Sequence, residues 1–142
     1  MTTPLFIDTS PAVLLLAMLY HESTRASVQA GNTATEWGSL LADGVRGRLL
    51  TASEILERFT IDGVAGLLEG VHDVRLDNDE VEFFARSLHE CARPAVDRGW
   101  TVVKLDPPRP WLGFYDMPPA AQEGRRNQAR FLLERLVLNR KL

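Results

Sequence analysis

The residues of this chain best suited to chemistry are two histidines that stand in the same short pattern. The pattern Ala-x3-His-Glu-x2-Arg begins at Ala17 and recurs at Ala85, 68 residues further along. On a helix its alanine, histidine and arginine fall four residues apart on one stripe, with the glutamate about 100° around the axis. Arginine is the side chain best shaped to hold a carboxylate or a phosphate. The pattern therefore indicates an anion-binding stripe, present twice.

The spacing does not fit a zinc site. A His-Glu-x-x-His motif needs a second histidine where the arginines Arg25 and Arg93 stand. The remaining histidine, His72, stands alone, and Cys91 is the single cysteine, so neither a cysteine-rich zinc site nor an intrachain disulfide is expected. We predict no metal and no cofactor.

Aromatic residues follow each copy of the pattern and suggest what the anion would carry. Tryptophan and tyrosine rings can stack on a base while a nearby cation holds a phosphate. The second copy has more such rings than the first, so it is the favoured site. The predicted ligand-binding residues are His89, Arg93, Trp100, Trp111, Tyr115 and Arg126, with His21, Arg25 and Trp37 as candidates in the first copy.

A structural interpretation competes with this one. Each histidine would be held by a loop carbonyl, and Arg93 would pair with Glu90 or Asp97, so that the helix is merely tied to the loop that follows it. We favour that interpretation for His21 and Arg25, and weigh the two evenly for His89 and Arg93.

The pattern of apolar residues predicts the elements that carry these side chains. A helix is expected over 11–26, with Pro11 in its first turn, and another over 79–92, with Val81, Phe84, Leu88 and Cys91 buried and Pro94 ending or kinking it. The remaining predictions are a helix over 34–45, a helix opened by a Thr51-x-x-Glu54 capping box, a weaker helix over 64–71, a strand over 101–105, a proline loop over 107–119 and a terminal helix over 122–142.

The charge is distributed unevenly along the chain. The net charge is −3, yet the last 18 residues carry six basic groups against Glu134 alone. A basic terminal segment on an acidic body is typical of a solvated helix face, and it also suits a second copy of the chain or another acidic partner. Nucleic acid is not expected as a ligand, because the body is acidic.

The chain is expected to be cytoplasmic. Its longest apolar run, residues 11–19, is far shorter than the roughly 20 residues that span a bilayer. The start of the chain lacks the basic segment and small-residue cleavage site of a secretory signal.

The repeat extends beyond the histidine pattern. Each copy is followed by a tryptophan, Trp37 or Trp111, and closes on a helix-like segment, residues 52–59 or 129–136. A repeat of this length predicts two supersecondary units stacked on each other.

The second half resembles a RyR domain, the module named after the ryanodine receptor that also occurs in bacterial and phage proteins. The resemblance covers residues 79–138: its first helix is similar to residues 81–90, its strand to Gly99-Trp100-Thr101, its proline loop to residues 110–118, and the start of its last helix to residues 125–129. Residues 12–59 would be a reduced first copy that lacks the strand and the proline loop.

This resemblance implies a fold and a class of function. We expect an α+β protein, mainly α-helical with a short strand region, made of two unequal RyR-like halves packed as one compact unit. Its halves would be residues 1–76 and residues 77–142. The expected function is non-catalytic recognition of a small anionic, nucleotide-like ligand.

Two other classes of function remain open. An adaptor or assembly subunit would dock on a protein partner or a second copy through the proline loop and the basic terminal helix. A PIN-like nuclease would bind a metal through Asp8, with Glu57 and Asp106 recruited, although Asp8 is better suited to capping a helix. The chain has no phosphate-binding glycine loop and no paired nucleophile, so we do not expect an enzyme.

Overall fold

The structure is a computed structural model that describes residues 9–27, 36–64, 77–101 and 110–141. Its helices are α1 (Pro11–Ser27), α2 (Ala42–Arg58), α3 (Asn78–Asp97) and α4 (Pro119–Leu133). Two strands, β1 (Phe59–Val64) and β2 (Leu136–Arg140), and two 3-10 turns, Trp37–Ser39 and Phe114–Asp116, complete the described elements. The expected α+β class, mainly helical with a short strand region, is confirmed.

Helices α1 and α3 form where the apolar spacing predicts them. Their buried residues recur at intervals of three and four, which places them on one face of each helix. All four core positions predicted on α3 are buried. Pro94 does not end α3, which continues to Asp97. Buried Ala95 anchors the last turn and its carbonyl accepts from the Trp100 amide at 2.9 Å.

Helix α2 corrects two predictions. Residues 36–41 are not α-helical: after the 3-10 turn, Leu40 and Leu41 are extended, and a single helix then runs from Ala42 to Arg58. The capping-box prediction is also wrong, because Thr51 lies in the middle of α2. Its hydroxyl donates to the Gly47 carbonyl at 2.9 Å, as a threonine inside a helix commonly does.

The two strands were not predicted. Phe59 pairs with Arg140 and Val64 with Leu136 in an antiparallel ladder, with an irregularity between Ile61 and Gly63. The predicted helix over 64–71 is wrong at Val64, and its remainder lies outside the described residues. The terminal helix ends at Leu133 instead of continuing to the end of the chain, since Leu136 turns into the core while Val137 is exposed, the alternation of a strand. Of the predicted strand over 101–105, only Thr101 is described, and it is irregular.

The described elements occur twice in the same order. Helix, 3-10 turn, helix and strand run first from α1 to β1 and again from α3 to β2. Arg48 and Arg125 are each the seventh residue of their helix, and each follows a glycine. The four helices pack in a ring, with α1 and α3 both contacting α2 and α4, and one core cluster draws residues from both halves.

None of the helices in the described residues combines the length and the apolar character needed to cross a membrane.

Candidate functional site

The two repeated histidines point into the protein. His21 on α1 and His89 on α3 are both buried, as are the alanines four residues before them. The alanine and the histidine share one helix stripe, and the small alanine lets the neighbouring helix approach closely. The alanine and histidine positions of the predicted anion-binding stripe therefore face the core rather than an open surface.

His89 joins three elements. Its Nε2 lies 2.7 Å from the Leu112 carbonyl of the proline loop, and its Nδ1 accepts from Nε of Arg125 on α4 at 3.3 Å. Because arginine can only donate, Nδ1 must be the acceptor, and the ring proton sits on Nε2 and is donated to Leu112. Burial lowers the pKa of His89; the Leu112 carbonyl opposes that effect and the Arg125 charge adds to it.

His21 has the same relation to the other arginine. Nε of Arg48 on α2 donates to His21 Nδ1 at 3.2 Å. Each histidine also contacts the tryptophan of its own half. The ring of Trp111 stacks on His89 at 4.3 Å between centroids, whereas Trp37 meets His21 edge-on at 6.0 Å. The two copies thus share an arginine contact and a tryptophan contact, and they differ in ring geometry.

Tyr20 brings the two arginines together. Its side chain is 1% exposed, and Nη1 of Arg125 donates to its hydroxyl at 2.8 Å. The guanidinium of Arg48 lies 4.8 Å from the centroid of its ring. We call the five residues at this junction the central cluster: Tyr20, His21, Arg48, His89 and Arg125.

The central cluster is electrostatically positive. Burial alone would raise the pKa of Tyr20, but Arg125 and Arg48 outweigh it and the pKa is lowered from its ordinary value. The pKa of Arg48 is also lowered, first by burial and then by the charge of Arg125, while Tyr20 opposes both. The environment therefore favours negative charge beside the two guanidinium groups.

In the part of the chain that the structure describes, no carboxylate forms an ion pair with Arg48 or Arg125. Gln128 supplies a neutral acceptor to Arg125 at 3.0 Å. Charged groups removed from water are usually paired with an opposite charge. Both arginine residues are intermediate in exposure, neither fully buried nor fully open to solvent.

Three of the other predicted binding residues form hydrogen bonds or ion pairs with carboxylates of this chain. Arg126 holds Glu82 through Nε at 2.7 Å and Nη2 at 3.1 Å, and the Tyr115 hydroxyl donates to the same carboxylate at 2.9 Å. The hydrogen bond from Arg126 is the main reason that the pKa of Glu82 is lowered. Arg25 pairs with Glu22 one turn back on its own helix at 2.9 Å.

Arg93 and Trp100 lie apart from these contacts. The Arg93 side chain is 53% exposed, 3.7 Å from Asp97, and its guanidinium lies 5.8 Å from the centroid of Trp111. The backbone of Trp100 lies against α2: a Cβ atom added to Gly47 would come within 1.8 Å of the Trp100 carbonyl oxygen. Among the predicted residues of the second copy, Trp111 thus contacts both His89 and Arg93, while Tyr115 and Arg126 meet through Glu82. In the first copy, His21 meets Trp37.

The residues that complete the cluster were missed from the sequence. Tyr20 stands at an unspecified position of the histidine pattern and Arg48 and Arg125 lie outside it, and the type of each residue is ordinary for a helix. The repeated Gly-Arg pair at the same position of α2 and α4 was the available signal. As for the nuclease alternative, Asp8 and Asp106 lie outside the described residues and Glu57 is exposed.

Comparison of the chain with family models, with curated proteins and with solved structures gave no match.

Proposed function

We propose that this chain is a non-catalytic binding module for a small anionic ligand, held between Arg48 and Arg125. One observation carries the proposal: guanidinium groups from both halves converge on Tyr20, and no described carboxylate pairs with either. An anion entering between them would supply the missing negative charge. Paired guanidiniums suit carboxylate or phosphate oxygens, which they can contact in a bidentate manner.

More specifically, the proposed ligand is nucleotide-like, with an aromatic group attached to the anion. Trp111 lies against His89, and Arg93 lies over the same indole ring. An aromatic group could extend from the arginine pair toward this ring, whose amphipathic character suits stacking. Arg126 and Tyr115 have a supporting part in this proposal, because they share Glu82 and thereby position the proline loop.

The packing of the proline loop favours this proposal over an adaptor. Trp111 stacks on His89 and Phe114 is buried, so two of the three rings pack within the chain. Among the large apolar residues of the loop that are described, Leu112 and Tyr115 are exposed, at 43% and 59%. An adaptor would be expected to present its rings as one continuous apolar patch.

Isothermal calorimetry and thermal shift with inorganic phosphate, pyrophosphate, mononucleotides and cyclic dinucleotides test the proposal. We expect at least one anion to stabilise the wild type. Arg48→Gln and Arg125→Gln should each weaken the binding of that anion about tenfold or more, which corresponds to the loss of one charge-assisted contact. Arg125→Lys retains the charge and should lose less binding affinity.

Arg46→Gln is the matched control, since Arg46 lies on the same helix as Arg48, is exposed and pairs with Asp43. It should bind the anion as the wild type does. Circular dichroism on each variant separates lost binding from lost folding. The proposal fails if no anion in the panel binds, or if the folded Arg48→Gln and Arg125→Gln proteins bind as tightly as the control.

A further inference from the structure

A second cationic feature lies at the end of the strand pair. The ladder places Phe59 opposite Arg140, and the Lys141 amide donates to the Arg58 carbonyl at 2.9 Å. Helix α3 closes the opposite side of a cavity of about 450 Å³. We call this cavity the sheet-end groove; it is lined by Glu57, Arg58, Phe59, Phe83, Ser87, Arg140 and Lys141.

The sheet-end groove has an excess of positive charge. Arg58, Arg140 and Lys141 face a single carboxylate, that of Glu57, among its lining residues. All three basic residues are exposed, and none forms an ion pair with any residue in the described ranges. A concave site lined by one sign of charge concentrates ligands of the opposite sign.

An aromatic ring holds one of these cations in place. The guanidinium of Arg140 lies 3.4 Å from the centroid of the Phe83 ring, and Phe59 meets Phe83 edge-on at 6.2 Å. Stacking on Phe83 uses one face of the guanidinium, while Arg140 remains exposed and lines the groove. A planar guanidinium can stack a second ring on its other face.

We propose that the sheet-end groove binds a phosphate monoester carried on a planar ring, with a mononucleotide as the representative ligand. The ring stacks on Arg140, and Arg58 and Lys141 contact the phosphate. Glu57 accepts from a ligand hydroxyl or amine at the rim. The volume lies within the range of small-molecule sites, about 300–1,000 Å³. No residue of the central cluster lines the groove, so the proposal stands apart from the proposed function.

Calorimetry with AMP, adenosine and inorganic phosphate tests this site on the full chain. We expect AMP to bind more tightly than either fragment, because only AMP provides both the ring and the phosphate. Arg140→Gln should weaken AMP binding about tenfold or more. Lys141→Gln should weaken the binding of AMP and of phosphate while leaving adenosine binding unchanged. Phe83→Leu should weaken AMP binding by removing the ring on which the Arg140 guanidinium stacks.

Arg98→Gln is the matched control, because Arg98 is also an exposed arginine over a ring, 5.8 Å from the centroid of Trp100, and does not line the groove. It should leave AMP binding at the groove unchanged, as should Arg46→Gln. The groove proposal is overturned if AMP does not bind at millimolar concentration, if adenosine binds as tightly as AMP, or if folded Arg140→Gln matches the control. Loss of AMP binding in Arg48→Gln with retention in Arg140→Gln would assign the nucleotide to the central cluster and refute the groove.

Discussion

Nη1 of Arg125 on α4 donates to the hydroxyl of Tyr20 on α1 at 2.8 Å, across 105 residues of sequence. This bond joins the second half of the chain to the first. Arg125 also donates to His89, so one guanidinium links α1, α3 and α4. The histidine of the repeated pattern is therefore part of a buried polar junction between the halves, and Arg125 is at its centre.

Replacing Tyr20 should cost stability. Tyr20→Phe keeps the ring but removes the acceptor for Arg125, which leaves a partly buried donor unsatisfied. We expect a loss of about 1–3 kcal/mol in the free energy of unfolding, measured by urea denaturation. Tyr115→Phe is the control: Tyr115 is exposed, and losing its bond to Glu82 should cost far less. Equal losses in the two variants would contradict a special role for Tyr20.

The two repeated glycines should respond oppositely to alanine. A Cβ atom at Gly47 would meet the Trp100 carbonyl at 1.8 Å, whereas one at Gly124 would meet nothing within 4 Å. Gly47→Ala should destabilise the protein by about 1–3 kcal/mol because the backbone at Trp100, just after α3, must move away from α2. Gly124→Ala should stabilise it by about 0.5–1 kcal/mol through helix propensity. Thermal unfolding of both variants checks the contrast, and a stabilised Gly47→Ala would refute the close approach.

His89 should make stability fall in mild acid. Its pKa in the folded protein is lowered, chiefly by burial, so between that value and about 6.5 the unfolded chain binds a proton that the folded chain does not. This contribution to stability is present above about pH 6.5 and is lost as the pH falls toward the folded pKa. Urea midpoints at about pH 7.5 and 5.5 should differ less for His89→Gln than for wild type. An unchanged difference would show that other groups cause the acid sensitivity.

Cys91 should be unreactive in the folded protein. Its side chain is fully buried, and burial raises the pKa of the thiol to about 11. Because only the thiolate attacks, a disulfide reagent at about pH 8 should modify the native chain very slowly and the denatured chain rapidly. Rapid labelling without denaturant would mean that the core around α3 opens readily.

The histidine pattern shows which features of the site can be predicted from the sequence and which cannot. The i, i+4, i+8 spacing correctly put the histidines on helices, because helical periodicity is local. It could not show that His89 takes its hydrogen bond from Arg125, since that depends on how α3 packs against α4. Arg25 and Arg93 carry the repeated pattern, yet they pair along their own helices, while Arg48 and Arg125, outside it, reach the centre.

The sequence by itself determined α1 and α3, whose buried faces are encoded by apolar residues three and four positions apart, and the mainly helical class that follows from them. Only the tertiary structure decided the strands and the partners of the arginines. Residues 136–138, Leu-Val-Leu, form a short and uniformly apolar run, so a helix and a strand are equally consistent with them. Pairing with β1, 77 residues away at Leu138 and Ile61, settles the choice because the ladder satisfies backbone groups that a local pattern leaves unassigned.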